Sequence, residues 1–190
     1  MSEETEGGSN PLSRRGLWFE DYRAGQTYVS QGRTLTEADV VSFAGLSGDF
    51  TSLHTDAEYA KRTPFRRRVA HGLLVQAIAT GLMTRTGLFE GTILALSDMV
   101  THWRAPVFLG DTIRLRLQVE SLDTQPSKRA GQVRFSACVL NQADQVVVEG
   151  EWGTLVARRP QASGEGSRGE RDPATSPTRP SARRSGGLSS

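Results

Sequence analysis

The stretch Ser47-Gly48-Asp49-Phe50-Thr51-Ser52-Leu53-His54 places a carboxylate and an imidazole close together behind a glycine. In a loop, that spacing lets both side chains point at one water, which is the arrangement general acid–base chemistry needs. A second pair, His71-Gly72, stands at the head of the longest apolar stretch of the chain, residues 69–83. A helix beginning there offers amides with no intrahelical partner and the positive end of a helix dipole, both suited to a developing oxyanion. An acid–base pair beside an oxyanion site is what addition to, or elimination from, an activated carbonyl compound requires. Taken singly, these residues have plainer readings. An Asp after Gly is ordinarily a turn or cap residue. His54 reads as a surface or packing histidine, Gly72 as a packing choice, and His102 beside Trp103 as a core or interface residue. The basic run Lys61-Arg62-Thr63-Pro64-Phe65-Arg66-Arg67-Arg68 reads as a solvated face or, functionally, as an attractor of a polyanionic carrier.

The elements that must hold these groups can be read from periodicity. Residues 26–35 resemble a strand. Thr36 is placed to cap a short helix, T-E-A-D-V-V-S-F-A, with Asp39 three positions on and Val40, Phe43 and Ala44 as its inner face. Residues 45–53 read as a loop and 56–61 as another short helix. The Leu, Ala and Met content of residues 69–83 favours a helix over a strand, with Gly72 in its first turn and Gly81 permitting close packing. From there the pattern turns strand-like over 92–103, 111–122, 132–141 and 145–156. In I-R-L-R-L-Q-V-E apolar and polar residues alternate strictly, the mark of one buried and one wet face. Pro106 and Gly110-Asp111 mark one turn, and Asn141-Gln142-Ala143-Asp144 a hairpin turn. One largely buried helix followed by antiparallel strands is an α+β arrangement, in which a curved sheet wraps the helix.

Composition narrows the classes. The chain has 190 residues, 36% hydrophobic and 23% charged, with a net charge of +2. Residues 157–190 hold seven Arg against three acidic residues, or +4, which leaves −2 for the rest and disfavours a basic nucleic-acid-binding body. The single cysteine, Cys138, excludes an internal disulfide and a Cys-based metal cluster; within F-S-A-C-V-L it reads as buried filler. No stretch is apolar enough for a membrane span, and the acidic N-terminus lacks the apolar stretch of a secretory signal, so a soluble, cytoplasmic protein is expected. Residues 1–16 and 158–190 are too poor in large apolar residues to bury a core and are expected to be disordered, leaving one domain over 17–157.

The stretch from Asp49 to Leu74 resembles the MaoC-like dehydratases, the R-specific enoyl-CoA hydratases. Their motif runs approximately G-D-x-N-P-L-H-x-D-x-x-Y-A, then T-x-F-G, then I-A-H-G. Here stand G-D-F-T-S-L-H-T-D-A-E-Y-A, T-P-F-R and V-A-H-G, in the same order and spacing, and W-R-A-P-V-F-L-G-D-T-I is similar to a later segment of the family. The resemblance implies a hot-dog fold, a long central helix wrapped by an antiparallel β-sheet, as a homodimer or higher hot-dog assembly. It implies reversible hydration of trans-2-enoyl thioesters to (R)-3-hydroxyacyl thioesters, carried on coenzyme A or acyl carrier protein, with no metal and no redox cofactor. Asp49 matches the catalytic carboxylate, His54 its partner on the reacting water, and Gly72 the amide that polarises the thioester carbonyl. Thr51, Ser52 and His71, within the matched motifs, are expected against the substrate. The motif Asn and Pro are Thr51 and Ser52 here, and a Thr hydroxyl is shorter than an Asn amide and offers one donor. Glycine positions after Phe65 are filled by Arg66 and Arg67, so Arg66, Arg67 and Arg68 are candidates for carrier phosphates. Val75, Ile78, Leu82 and Leu96 are expected to shape the acyl tunnel. Two other activities suit the same fold: acyl-CoA thioester hydrolysis, and acyl binding without catalysis as a partner subunit.

Overall fold

The computed structural model describes residues 16–124 and 127–160. The expected disordered ends therefore lie outside the described residues, apart from Gly16 and residues 158–160. Three of these contact the folded body: Gly16 N–H donates to Glu90 O at 2.7 Å, the Arg158 guanidinium lies 4.7 Å from the Phe19 ring centroid, and Arg159 pairs with Asp21 at 2.5 Å. No described helix is long and apolar enough to cross a membrane.

A short 3-10 turn, Phe19–Asp21, leads into strands β1 (Thr27–Val29) and β2 (Arg33–Thr34). Helices α1 (Glu37–Ser47), α2 (Ser52–Thr55), α3 (Ala57–Lys61) and α4 (Gly72–Arg85) follow, then β3 (Ile93–Trp103), β4 (Thr112–Asp123), β5 (Ala130–Leu140) and β6 (Val146–Ala157). The strands pair antiparallel in the order β1-β4-β5-β6-β3, with β2 also on β4. Helix α4 lies against this sheet. Leu74, Val75, Ile78, Ala79, Leu82 and Met83 are buried from its side. Ile113, Leu115, Leu117 and Val119 of β4 are buried from the other, as the alternation of that strand requires. This is the α+β hot-dog architecture that the resemblance implies.

Three local expectations need correction. Residues 26–35 do not form one strand. The Ser30 side chain enters the ladder, with Leu115 N–H donating to Ser30 Oγ at 2.9 Å, so β1 and β2 pair with β4 on either side of a break. Helix α1 runs on to Ser47, past the expected loop start, and ends at Gly48, whose left-handed conformation (φ 77°) turns the chain sharply. Cys138 is half-buried on the outer side of β5, where it borders a polar recess with Arg116, Gln118 and Ser136. Phe135, Ala137 and Val139 take the core side, and strand alternation sends Cys138 the other way.

The cap of α1 forms as its sequence suggests. Asp39 N–H donates to Thr36 Oγ at 3.4 Å, while Asp39 Oδ2 accepts from Thr36 N–H at 2.8 Å. Truncation to Thr36→Ala is expected to destabilise the protein by about 1 kcal/mol in chemical denaturation.

Candidate active site

The end of α1, the helix α2 and the start of α4 bring the polar residues together. Gly48 N–H donates to Ala44 O at 2.8 Å, and the left-handed turn there delivers Asp49 just beyond the end of α1. His54 lies in α2, not in a loop. His71 is the residue before α4, with extended backbone (φ −61°, ψ 136°), and Gly72 is the first residue of that helix. The lead-in to α4 is clamped on both sides: Val69 N–H donates to Leu53 O at 3.4 Å and Ala70 N–H to Val107 O at 2.8 Å. The start of α4 is thereby fixed against α2 and the segment after β3.

One side-chain donor or acceptor atom from each of Asp49, His54 and His71 lies within 4.8 Å of the others. The backbone sets the imidazole protons. His54 Nδ1 lies 2.8 Å from Val69 O; a carbonyl only accepts, so Nδ1 carries hydrogen and, in the neutral imidazole, Nε2 is the acceptor. His71 Nε2 lies 3.0 Å from Asp49 O and donates for the same reason, and its buried Nδ1 has no hydrogen-bond partner among the described residues. The two rings lie close together, tilted by 32° with centroids 3.9 Å apart.

Asp49 is exposed, and its Oδ1 accepts two hydrogen bonds from Thr51, at 2.6 Å from the hydroxyl and 3.2 Å from the backbone N–H. The Thr51 hydroxyl, then its amide, and then the nearby His54 and His71 hold the Asp49 carboxyl below its usual pKa. Thr51, expected against the substrate, therefore orients the carboxylate. Ser52 begins α2, its carbonyl accepting from Asp56 N–H at 2.9 Å.

Of the three, His54 lines a cavity of about 380 Å³, together with Gly72, Phe65, Val75, Trp103 and Val107. Val75 N–H donates to His71 O at 3.1 Å, which leaves the amides of Gly72, Leu73 and Leu74 without intrahelical partners. A Cβ added at Gly72 would stand 2.7 Å from Trp103 Nε1, so only glycine lets the indole close over the helix start. Sequence reading missed Trp103; its neighbour His102 drew notice, and only the strand register places the indole over Gly72. His102 itself is exposed. Of the expected tunnel residues Val75 lines the cavity, Ile78 and Leu82 are buried in the core, and Leu96 is exposed on β3.

Arg66, Arg67 and Arg68 do not line this cavity but a separate recess beside it. Arg68 is tied by two hydrogen bonds to Glu37, and Arg67 stacks on Phe108.

Comparison with known proteins adds the last finding. A family model described as a MaoC-like domain matches residues 21–141. A 3-hydroxybutyryl-CoA dehydratase from Methylorubrum extorquens is 32% identical over 149 residues, which cover 78% of this chain and 89% of the relative. An (R)-specific enoyl-CoA hydratase from Rhodospirillum rubrum is 33% identical over 142 residues, 75% of this chain and 93% of that enzyme. Among solved structures, an unliganded R-hydratase from Pseudomonas aeruginosa superposes with a TM-score of 0.64 at 30% identity, covering 75% of this chain and 86% of that one.

Proposed function

The chain belongs to the MaoC-like dehydratase family, and from that premise we propose that it catalyses reversible hydration of trans-2-enoyl thioesters to (R)-3-hydroxyacyl thioesters. The observation that carries this reading is the meeting of Asp49 and His54 beside a cavity that Gly72 also lines.

The thioester carbonyl makes C3 of the enoyl group electrophilic. A water held between Asp49 and the free Nε2 of His54 attacks C3 while Asp49 takes one of its protons. The C2–C3 π electrons move to form an enolate, whose oxygen meets the Gly72 N–H at the helix start. A proton delivered to C2 from Asp49, directly or through His54, completes addition of the elements of water. The scheme uses no metal and no redox cofactor. The acyl group occupies the apolar cavity between Val75, Val107 and Trp103. The substrate is carried on coenzyme A or acyl carrier protein.

A homodimer also fits. Among the described residues strand β3 pairs only with β6, and Leu94, Leu96, Val100 and Trp103 are exposed along it. A second copy related by a two-fold axis would cover that edge with its own.

Because Asp49 is held below the usual carboxylate range, its ionised form survives acidification until the pH falls through that lowered value. Substitution Thr51→Val removes the hydroxyl, the largest cause of the lowering. The acid limb of the rate–pH profile is then expected to move to higher pH, toward the ordinary aspartate value, with the neutral-pH rate little changed.

The reading is tested by incubating the protein with crotonyl-CoA and resolving the product by chiral chromatography. (R)-3-hydroxybutyryl-CoA is expected. The S product, or free crotonate, would count against it.

A further inference from the structure

The connection between α3 and α4 borders two hollows at once. Phe65 and Val69 line the cavity that reaches His54 and Gly72. The three arginines between them line a neighbouring recess of about 260 Å³, together with Ala57, Lys61 and Leu109. The arginines are not equivalent there. Arg68 is spent on Glu37, which it grips with two hydrogen bonds. The Arg67 guanidinium lies 3.7 Å from the Phe108 ring centroid, which fixes the group by its face and leaves its in-plane N–H donors free. Arg66 makes one long bond, from Nη1 to Lys61 O at 3.4 Å. Among the described residues no carboxylate lies within ion-pair distance of Arg66 or Arg67. Lys61, at the edge of the same recess, is paired with Glu58 at 2.5 Å.

The backbone at Arg66 adds a second observation. Its φ is 61°, in the left-handed region that glycine enters freely and a residue with a Cβ resists. This is the position where the T-x-F-G pattern carries glycine. Here the position bears a long cationic side chain in that conformation. Strain of that kind, at the rim of a hollow next to the site, marks a side chain in use.

We infer that Arg66 and Arg67 form a phosphate subsite for the nucleotide end of a coenzyme A thioester, whose acyl end enters the neighbouring cavity. The inference rests on the hydratase reading above and deepens it. Guanidinium groups match phosphate oxygens in shape and charge. A concave recess suits a small phosphorylated molecule better than the surface of a carrier protein. Arg67 and Gly72 stand five positions apart, so at most about 18 Å of extended backbone separates them, within reach of a pantetheine arm.

The test compares crotonyl-CoA with crotonyl-pantetheine, which has the same reacting end and no phosphates. Substitution Arg66→Gly suits the backbone, so the variant is expected to melt no lower than the wild type. Its KM for crotonyl-CoA should rise about tenfold, the loss of one charge-assisted hydrogen bond, with kcat little changed. Its KM for crotonyl-pantetheine should stay within about twofold of wild type on the same reasoning. Arg67→Gln should behave alike. An equal rise for both substrates, or no rise for either, would overturn the subsite. An effect seen only with a substrate linked to acyl carrier protein would overturn it too, in favour of a protein-docking face. Calorimetry with adenosine 3′,5′-bisphosphate separates this inference from the reaction itself. Binding that Arg66→Gly abolishes upholds the subsite even if the wild type hydrates neither thioester; absence of binding to the wild type refutes it.

Discussion

Asp49→Asn is expected to lower the rate of enoyl-thioester hydration by about 10³-fold, within the range for loss of a general base. The substitution is close to isosteric, and its amide oxygen still accepts from the Thr51 hydroxyl, so the loop keeps its shape. What disappears is the ability to take a proton from water. Asp49 is exposed, and exposed substitutions usually move stability by no more than about 0.5 kcal/mol. The variant should therefore melt with the wild type while its turnover collapses. Full activity in the Asp49→Asn variant would remove Asp49 from the chemistry and leave it a turn residue.

The second large effect is expected at Gly72, where two variants separate two roles. Alanine keeps the N–H and adds a Cβ that meets the Trp103 indole, 2.7 Å from Nε1. Proline adds similar bulk and deletes the N–H. It is also well tolerated in the first turn of a helix, where that N–H has no intrahelical partner. His71, with extended backbone, accepts a proline after it. Both variants should lose activity as the indole is pushed aside. Gly72→Pro should lose about 10²-fold more than Gly72→Ala, the size expected for removing an oxyanion donor. Equal losses would assign Gly72 to packing under Trp103 alone. Thermal melting of both variants controls for damage to α4.

The contrast between what could and could not be read from the chain follows from range. The apolar run ahead of Met83 and the strict alternation of β4 are local signals, and they placed the central helix and the sheet. The pairing of Asp49 with His54 was suggested by their spacing behind glycine at position 48, a local signal, whereas His71 joins them only through the bonds that fix the start of α4 against α2. What escaped depends on pairing. The break between β1 and β2 arises because the Ser30 hydroxyl meets Leu115 across the sheet. Trp103 closes over Gly72 only after β3 has docked on β6. Cys138 could have been placed correctly, since Phe135 fixes which face of β5 points inward, but its apolar neighbours suggested burial instead. Thr51 was the most informative surprise. A residue that departs from the family motif turns its hydroxyl onto the carboxylate and becomes a main reason that Asp49 stays ionised.

The most direct measurement follows the ultraviolet absorbance of the enoyl group of crotonyl-CoA with the purified protein, while a thiol reagent counts free coenzyme A in the same sample. Catalytic loss of the enoyl absorbance with no thiol released is the result that addition of water at C3 predicts. Thiol appearing in step with substrate loss would contradict it, and would make the same cavity the site of thioester hydrolysis.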